Sequence, residues 1–169
     1  YSVVPLAYEG GLNADNVLPL FAHTFVHGGL IHLLFNLVLL LAVGASVVRR
    51  LDVAGGGWWR FLALFFGCAA LSALTFVAFN RGSPIGAVGA SGAICGVFAA
   101  YLMGARWDWR ASLRDKQVLM AGFWFLAINV GAAYVVREFN IFPIAWEAHL
   151  GGFVAGMVLF PLLAPARAR

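Results

Sequence analysis

The chain has 169 residues, of which 63% are hydrophobic and only 11% are charged, and its mean hydropathy is +0.90. A soluble domain is about half apolar and a quarter charged. These proportions exclude a water-soluble globule, because too few polar side chains exist to cover its surface. The net charge of +4 could suggest nucleic acid. The basic residues are scattered between apolar segments, however, so we expect a lipid bilayer and no nucleic acid as partner.

Five apolar segments are long enough to cross a bilayer, which takes roughly 20 residues of helix. They lack the polar stripe at helical spacing that a soluble helix bundle would show. We therefore predict an all-α fold, a polytopic membrane helix bundle that forms one domain over residues 1–169. The predicted spans are 30–48, 58–79, 85–104, 118–136 and 146–164. Residues 1–29 mix Pro, Gly, Asn and acidic residues with hydrophobic ones, which predicts a partly embedded loop with short helical pieces.

The basic residues predict the orientation of these spans. On one predicted membrane face lie Arg49, Arg50, Arg60, Arg106, Arg110, Arg114, Lys116, Arg167 and Arg169. Only Arg81 and Arg137 fall on the other face. Positive charge concentrates on the cytoplasmic side of membrane proteins. The N-terminal loop is therefore predicted to lie outside, together with the 80–85 turn and the 137–145 loop.

Polar side chains recur at one shallow depth. The 30–48, 85–104 and 146–164 spans all enter from the predicted outer face, and each carries polar residues near its beginning. These residues are His32, Asn36, Ser91 and His149. At a rise of 1.5 Å per residue they lie within about 10 Å of the outer helix ends. Polar groups at membrane depth are costly, so their shared depth indicates a shared site.

Small residues predict which of these helices touch. Gly92, Gly96, Ala100 and Gly104 recur every four residues, and Gly152 and Gly156 form a second GxxxG pattern. Such faces let helix backbones approach closely in lipid, although generic packing would use the same residues. If the two faces meet, His149 comes close to Ser91.

A serine becomes a nucleophile when a base within hydrogen-bond reach takes its proton, and His149 is the candidate base for Ser91. A lone histidine on an apolar helix can equally be structural. Gly89 and Gly92 leave space around the hydroxyl. If a helix begins near Ser91, its first N–H groups are unpaired and could bind an oxyanion. His32 and Asn36 share a helix face, and one such donor is typically worth roughly 3–4 kcal/mol.

A metal centre is the rival interpretation of the histidines. His23, His27 and His32 are close in sequence, but they lack the HExxH pattern and a neighbouring carboxylate. Cys68 and Cys95 lie in apolar runs without the neighbours of a metal site or of a disulfide framework. We therefore expect neither a metal nor another cofactor.

Three motifs occur in order, "HGGLIHLLFN" at 27–36, "GASGAICG" at 89–96 and "AHLGGFVAG" at 148–156. With them the chain resembles the rhomboid intramembrane serine proteases over nearly its whole length. The resemblance implies a serine endopeptidase that cleaves transmembrane segments near the outer membrane face through a Ser91–His149 dyad. It implies an oxyanion hole made by His32, Asn36 and the backbone N–H of Ser91. The supporting residues that it implies are His27, Gly89, Gly92 and Gly152.

The chain also departs from that family. The rhomboid core has six spans and five are visible, so a first span is expected before Tyr1. Leu18 and Pro19 stand where many members carry Trp-Arg, and Cys95 stands where an aromatic often stacks on the base. A catalytically inactive rhomboid-like binding or escort protein is the alternative. A small transporter would be expected to show charged mid-span residues or repeats, which are not apparent here. We expect a bacterial plasma membrane location, with the site on the non-cytoplasmic side, and leave the oligomeric state open.

Overall fold

The computed structural model describes residues 1–52, 55–106, 108–139 and 144–164, and it confirms the all-α prediction. Within these ranges the chain forms helices and a single isolated β-bridge, with no strand. The helices are α1 (Ala14–Val17), α2 (Pro19–Ala22), α3 (Leu30–Leu51), α4 (Gly57–Phe79), α5 (Ser91–Met103), α6 (Trp109–Ser112), α7 (Lys116–Glu138) and α8 (Trp146–Leu163). Short 3-10 turns at Pro5–Tyr8 and His23–Phe25 complete the N-terminal part.

Four helices are long and apolar enough to cross a membrane: α3, α4, α8 and residues 116–136 of α7. Large apolar side chains cover their outer surfaces, among them Phe35 and Val38 of α3, which are 68% and 63% exposed. Such surfaces are compatible with lipid and not with water. The chain is therefore an integral membrane protein.

The prediction for the third span was wrong at its beginning. Residues 85–90 are not helical, and Ala87 exchanges two backbone hydrogen bonds of 2.9 Å with Val3 of the N-terminal segment. Gly89 then takes a φ of +112°, which a helix does not allow. The helix α5 begins only at Ser91. Its 13 residues are about 20 Å long, which is shorter than a hydrocarbon core of about 30 Å.

The helix α5 is the centre of the bundle. Ten of its 13 residues are buried, and they pack against α3, α4 and α8. Glycines permit this packing, because a Cβ on Gly152 would strike the carbonyl oxygen of Gly92 and one on Gly156 would strike that of Gly96. The small-residue faces of α5 and α8 thus meet backbone to backbone, as the sequence pattern predicted.

The N-terminal loop is held together by its own polar side chains and contains the predicted short helical pieces. Asn16 is buried and donates hydrogen bonds to the carbonyls of Ala7 and Gly11 at 3.0 and 2.9 Å. The backbone carbonyl of Asn16 accepts a hydrogen bond of 2.8 Å from the hydroxyl of Tyr8. The rings of Phe21 and Phe25 lie 6.4 and 6.3 Å from the ring of Phe66 on α4. The ring contacts hold the loop against the side of α4, and the pairing of Val3 with Ala87 places its first residues beside the start of α5.

The opposite end of the bundle carries the basic connections. Gly104 follows α5 and lies beside Arg50 of α3 and Phe160 of α8. Arg106, Arg110, Arg114 and Lys116 occupy the connection to α7. Among the residues that predicted the orientation, Arg167, Arg169 and the side chain of Arg137 lie outside the described residues.

Candidate active site

Two residues far apart in sequence meet at the end of the bundle that the loop covers. The Oγ of Ser91 and the Nε2 of His149 lie 2.8 Å apart, at hydrogen-bond distance. Ser91 is the first residue of α5, and His149 lies in the first turn of α8. Both side chains are partly buried. At this distance an imidazole nitrogen can accept the proton of a hydroxyl.

The glycine contact between α5 and α8 sets this distance. Gly92 follows Ser91, and Gly152 lies one turn after His149, so the tightest backbone approach is immediately below the pair. A Cβ at Gly92 would also strike the side chain of Ser72 on α4 and would lie 3.3 Å from the carbonyl oxygen of Ala148. Three helices therefore converge under Ser91.

The second nitrogen of the His149 ring, the buried Nδ1, has no hydrogen-bond partner in the described part of the chain. When Nε2 accepts the proton of Ser91, Nδ1 carries the ring hydrogen. Among the described residues the arrangement is thus a pair, and the carboxylate of Glu147 does not extend it to a third member.

A group of donors faces the turn before Ser91. The Nδ1 of His32 accepts a hydrogen bond of 3.4 Å from the N–H of Gly28, so its Nε2 is the donor. This Nε2 lies 2.8 Å from the position that a Cβ on Gly89 would take. The amide nitrogen of Asn36 lies 3.7 Å from the same position, and it donates one hydrogen to the carbonyl of His32 at 3.1 Å. One amide hydrogen of Asn36 remains for another acceptor.

Gly89 has two reasons to be glycine. Its φ of +112° lies where other residues are strained. A Cβ there would also collide with the His32 ring, at 2.7 and 2.8 Å from two ring atoms. The motif glycine therefore allows the chain to pass His32 and turn directly into α5.

The backbone at the start of α5 supplies a further donor. No side chain caps this helix N-terminus, so the N–H of Ser91 has no capping partner. Unpaired N–H groups at a helix start carry partial positive charge and favour an anion. The Ser91 N–H, the His32 ring and the Asn36 amide thus lie around one turn, and an oxyanion is the kind of group they would bind.

The structure places His27 beside His32. Their ring centroids are 5.2 Å apart in an edge-on arrangement. The Nε2 of His27 is buried without a hydrogen-bond partner among the described residues. Its position against His32 is compatible with the supporting role that the family resemblance implied.

His23 takes part in the site and was missed as a site residue by the sequence reasoning. Its carbonyl accepts the N–H of Gly89 at 2.9 Å, which ties the turn before Ser91 to the N-terminal loop. Its ring is buried, with Nδ1 2.9 Å from the carbonyl of Pro19. Burial lowers the pKa of His23, although hydrogen bonds to the backbone of Pro19 and Leu20 oppose this shift. The short distance in sequence from His23 to His27 and His32 was the signal that could have identified it as a site residue.

Behind Ser91 lies a cavity of about 20 Å³, bounded by His23, Ser72 and Ala148. This volume is sufficient for about one water molecule. Ser72 was also missed by the sequence reasoning. It is a buried polar residue in the largely apolar helix α4, and that contrast could have drawn attention to it.

Cys95 does not support the base in the way that an aromatic would. It is 4% exposed and packs in an apolar cluster with Ala99, Leu102 and Phe153. No aromatic ring among the described residues stacks on His149. The space one turn below the Ser91–His149 pair is thus filled from α8 by Phe153.

The described residues contain no group of three His, Cys, Asp or Glu side chains that could hold a metal ion. The groups that the described residues place at the site are the Ser91 hydroxyl, the His149 imidazole and the surrounding N–H donors.

The fold and the site together define a class: a helical membrane protein with a serine and a histidine paired at the end of its central helix. A family model described as the Rhomboid domain matches residues 14–166. The chain belongs to the rhomboid family.

Curated relatives agree with this assignment. Rhomboid-type serine protease 2 of Emericella nidulans is 25% identical over 162 residues, which are 92% of this chain and 30% of that protein. RHOMBOID-like proteins 4 and 5 of Arabidopsis thaliana are each 29% identical, over 94% and 80% of this chain and 38% and 40% of their own lengths. The chain thus spans less than half the length of these relatives.

Proposed function

We propose that the chain is an intramembrane serine endopeptidase in which Ser91 is the nucleophile and His149 the general base. The observation that carries this proposal is the 2.8 Å distance between Ser91 Oγ and His149 Nε2 at the start of α5. Membership of the rhomboid family and the similarity to a protein named as a serine protease support it.

The proposed reaction follows the general logic of acyl transfer. Ser91 Oγ attacks a peptide carbonyl while His149 Nε2 takes its proton. The negative charge that develops on the carbonyl oxygen is stabilised by the Ser91 N–H, by His32 and by Asn36. His149 then gives the proton to the leaving amine, and a water molecule releases the acyl group from Ser91. The cavity between Ser91 and Ser72 is large enough to supply such a water molecule.

The proposed substrates are transmembrane segments of other proteins. In an intact helix every peptide carbonyl is already hydrogen-bonded, so the segment must unwind before Ser91 can attack it. Small or helix-breaking residues lower the free energy of that unwinding. We therefore expect cleavage near the outer end of segments that contain such residues.

The proposed site faces the non-cytoplasmic side. The connections at the end of the bundle opposite to Ser91 carry most of the basic residues, which favours a cytoplasmic location for that end. A bacterial plasma membrane stays a prediction, which the eukaryotic relatives named above do not test.

A fluorophosphonate probe applied to membranes tests the nucleophile. It should label the wild-type chain, and Ser91→Ala and His149→Ala should remove the labelling. Ser46→Ala is the matched control, because this serine lies on α3 at the opposite end of the bundle and should not affect labelling. Labelling that persists in Ser91→Ala would overturn the assignment. A folded wild-type chain that never labels would instead indicate an inactive binding or escort protein.

Cleavage of tagged model helices tests the proposed substrate class. Helices with Gly or Pro near the outer end should be cut, whereas otherwise identical poly-Leu helices should not. Equal cleavage of both sets, or cleavage at the opposite end, would contradict the proposed substrate preference without affecting the nucleophile.

A further inference from the structure

An apolar cavity opens at the side of the bundle, in the half away from Ser91. It lies between the C-terminal half of α5, the N-terminal half of α7 and α8, and its volume is about 150 Å³. Its walls are almost wholly apolar, with Leu102, Gly122, Phe123 and Met157 among them. Phe123 is 59% exposed, so the opening faces the surrounding lipid. An apolar cavity of this size accepts a benzene-sized molecule, which corresponds to a few methylene groups of an acyl chain.

Two exposed cations are close neighbours in sequence of residues that line this cavity. Leu113 and Val118 line it, and Arg114 and Lys116 lie between them in the chain. Both basic side chains are exposed, and neither makes an ion pair or a hydrogen bond with any described residue.

Their basic neighbours are engaged differently. Arg106 forms an ion pair with Asp115 at 2.6 Å. Arg110 lies over the ring of Trp109, at 4.4 Å from its centroid. Asp115 also accepts the N–H groups of Gln117 and Val118 at the start of α7. The acidic side chain closest in sequence to Arg114 and Lys116 is thus already occupied, and no other residue in the described part of the chain forms an ion pair with either cation.

We propose that the cavity binds an acyl chain of an anionic phospholipid, whose phosphate group is bound by Arg114 and Lys116. Apolar walls that open to lipid select a hydrocarbon chain, and unpaired cations at the membrane face select a negatively charged headgroup. A zwitterionic lipid would fill the cavity equally well but would interact less favourably with the two cations. Such a lipid would bridge α7 to α5 and α8. The site is distinct from the Ser91–His149 pair and does not depend on proteolytic activity.

Native mass spectrometry of the full chain in detergent tests the proposal. Dioleoylphosphatidylglycerol and dioleoylphosphatidylcholine, which share their acyl chains, are added in separate titrations. The anionic lipid should bind tighter than the zwitterionic one by more than tenfold, since each of the two basic residues contributes about fivefold. Equal binding of the two lipids to the wild-type chain would overturn the proposal.

Variants separate the contributions of the cations and of the cavity. Arg114→Gln with Lys116→Gln should lower the affinity for the anionic lipid more than tenfold and leave the zwitterionic one unchanged, whereas Arg114→Lys should retain it. Gly122→Leu should weaken the binding of both lipids, because the leucine side chain would enter cavity space that ends 3.4 Å away at Phe153.

Arg49→Gln is the control, since this exposed arginine lies on α3 at the same end of the bundle. An equal loss in Arg49→Gln, or no loss in the double variant, would contradict the site. Melting temperatures in the same detergent identify any variant that fails to fold.

Discussion

The helices α8 and α7 are apolar in similar proportion, with 12 of 18 and 16 of 23 residues hydrophobic, but are held in the bundle very differently. In α8 and in α4, 33% of the residues in the membrane-spanning stretch are buried, whereas in α7 only 11% of these residues are buried. The helix α8 meets α5 backbone to backbone through Gly152 and Gly156. The helix α7 reaches the bundle through side chains, chiefly the Phe125 ring, whose centroid lies 4.2 Å from that of Phe98 and 5.7 Å from that of Phe153.

This difference matters because the proposed nucleophile and base lie on α5 and α8, the pair in closest backbone contact, while α3, which carries the proposed oxyanion donors, is intermediate with 17% of its membrane-spanning stretch buried. Ser91, His149, His32 and Asn36 belong to α5, α8 and α3, and α7 contributes none of them. Proposed chemistry that depends on a 2.8 Å distance requires rigid neighbours. A transmembrane substrate, in contrast, needs a lateral opening. The weakly attached helix α7 is therefore the element of the bundle that can move at the smallest loss of buried contact.

The largest effect is expected from a side chain placed between the tightly packed helices. In Gly152→Val the new Cβ would strike the carbonyl oxygen of Gly92, so α5 and α8 must separate. Overpacking of this kind typically costs about 1–3 kcal/mol, and more where backbone is struck. We expect a lower melting temperature and no fluorophosphonate labelling of Ser91.

Gly131→Val on α7 is the matched control for that change. A Cβ at Gly131 meets nothing within 4 Å, so melting temperature and labelling should stay at the wild-type level. If the two valine variants behaved alike, the contrast between the two helices would be refuted.

The second effect concerns the proposed oxyanion donors. Asn36→Ala removes an amide that faces the turn before Ser91, and the labelling rate should fall by roughly 10²-fold. Asn129→Ala provides a matched control, because Asn129 on α7 also donates to the carbonyl four residues earlier, at 2.9 Å against 3.1 Å for Asn36. The control should label at the wild-type rate. An unchanged rate in Asn36→Ala would remove this residue from the proposed oxyanion hole.

A smaller effect is expected from loosening α7. Phe125→Ala removes two ring contacts, each worth about 0.5–1.5 kcal/mol beyond the buried area. The melting temperature should fall, while labelling of Ser91 by a small probe should change by less than about threefold, since the probe needs no lateral opening. Phe123→Ala, at an exposed position of the same helix, should lower the melting temperature less. A loss of labelling in Phe125→Ala as large as in Gly152→Val would mean that α7 also determines the geometry of the Ser91–His149 pair.

The smallest effect is a pH dependence that arises from the N-terminal loop. Burial lowers the pKa of His23 in the folded chain, whereas in the unfolded chain it titrates near its usual value of about 6.5. Below that pH the unfolded state takes up a proton that the folded state does not, so the stability falls as the pH falls. In His23→Gln the melting temperature should decline less steeply between about pH 6.5 and pH 5. If the melting temperatures of the wild type and of His23→Gln declined equally with falling pH, His23 would not contribute to the pH dependence of stability.

Much of the fold could be predicted from local sequence because lipid imposes a simple requirement. A segment that is apolar on all sides must be helical in a bilayer, since its backbone groups have no water to bind. The spans of α3, α4, α7 and α8 were therefore predicted within a few residues of their observed ends. The beginning of α5 was not, because Ala87 is drawn into a pairing with Val3, which is distant in sequence.

The sequence by itself determined the membrane class, the shared depth of the polar residues and the faces on which α5 and α8 could meet. Only the tertiary structure decided that Ser91 is the first residue of its helix, that His23 holds the preceding turn and that Ser72 lies behind the hydroxyl. The physical reason is the range of the interactions. Hydropathy and helix periodicity act within one segment, whereas the distance between Ser91 and His149 depends on the contact of helices whose paired residues are 58 positions apart.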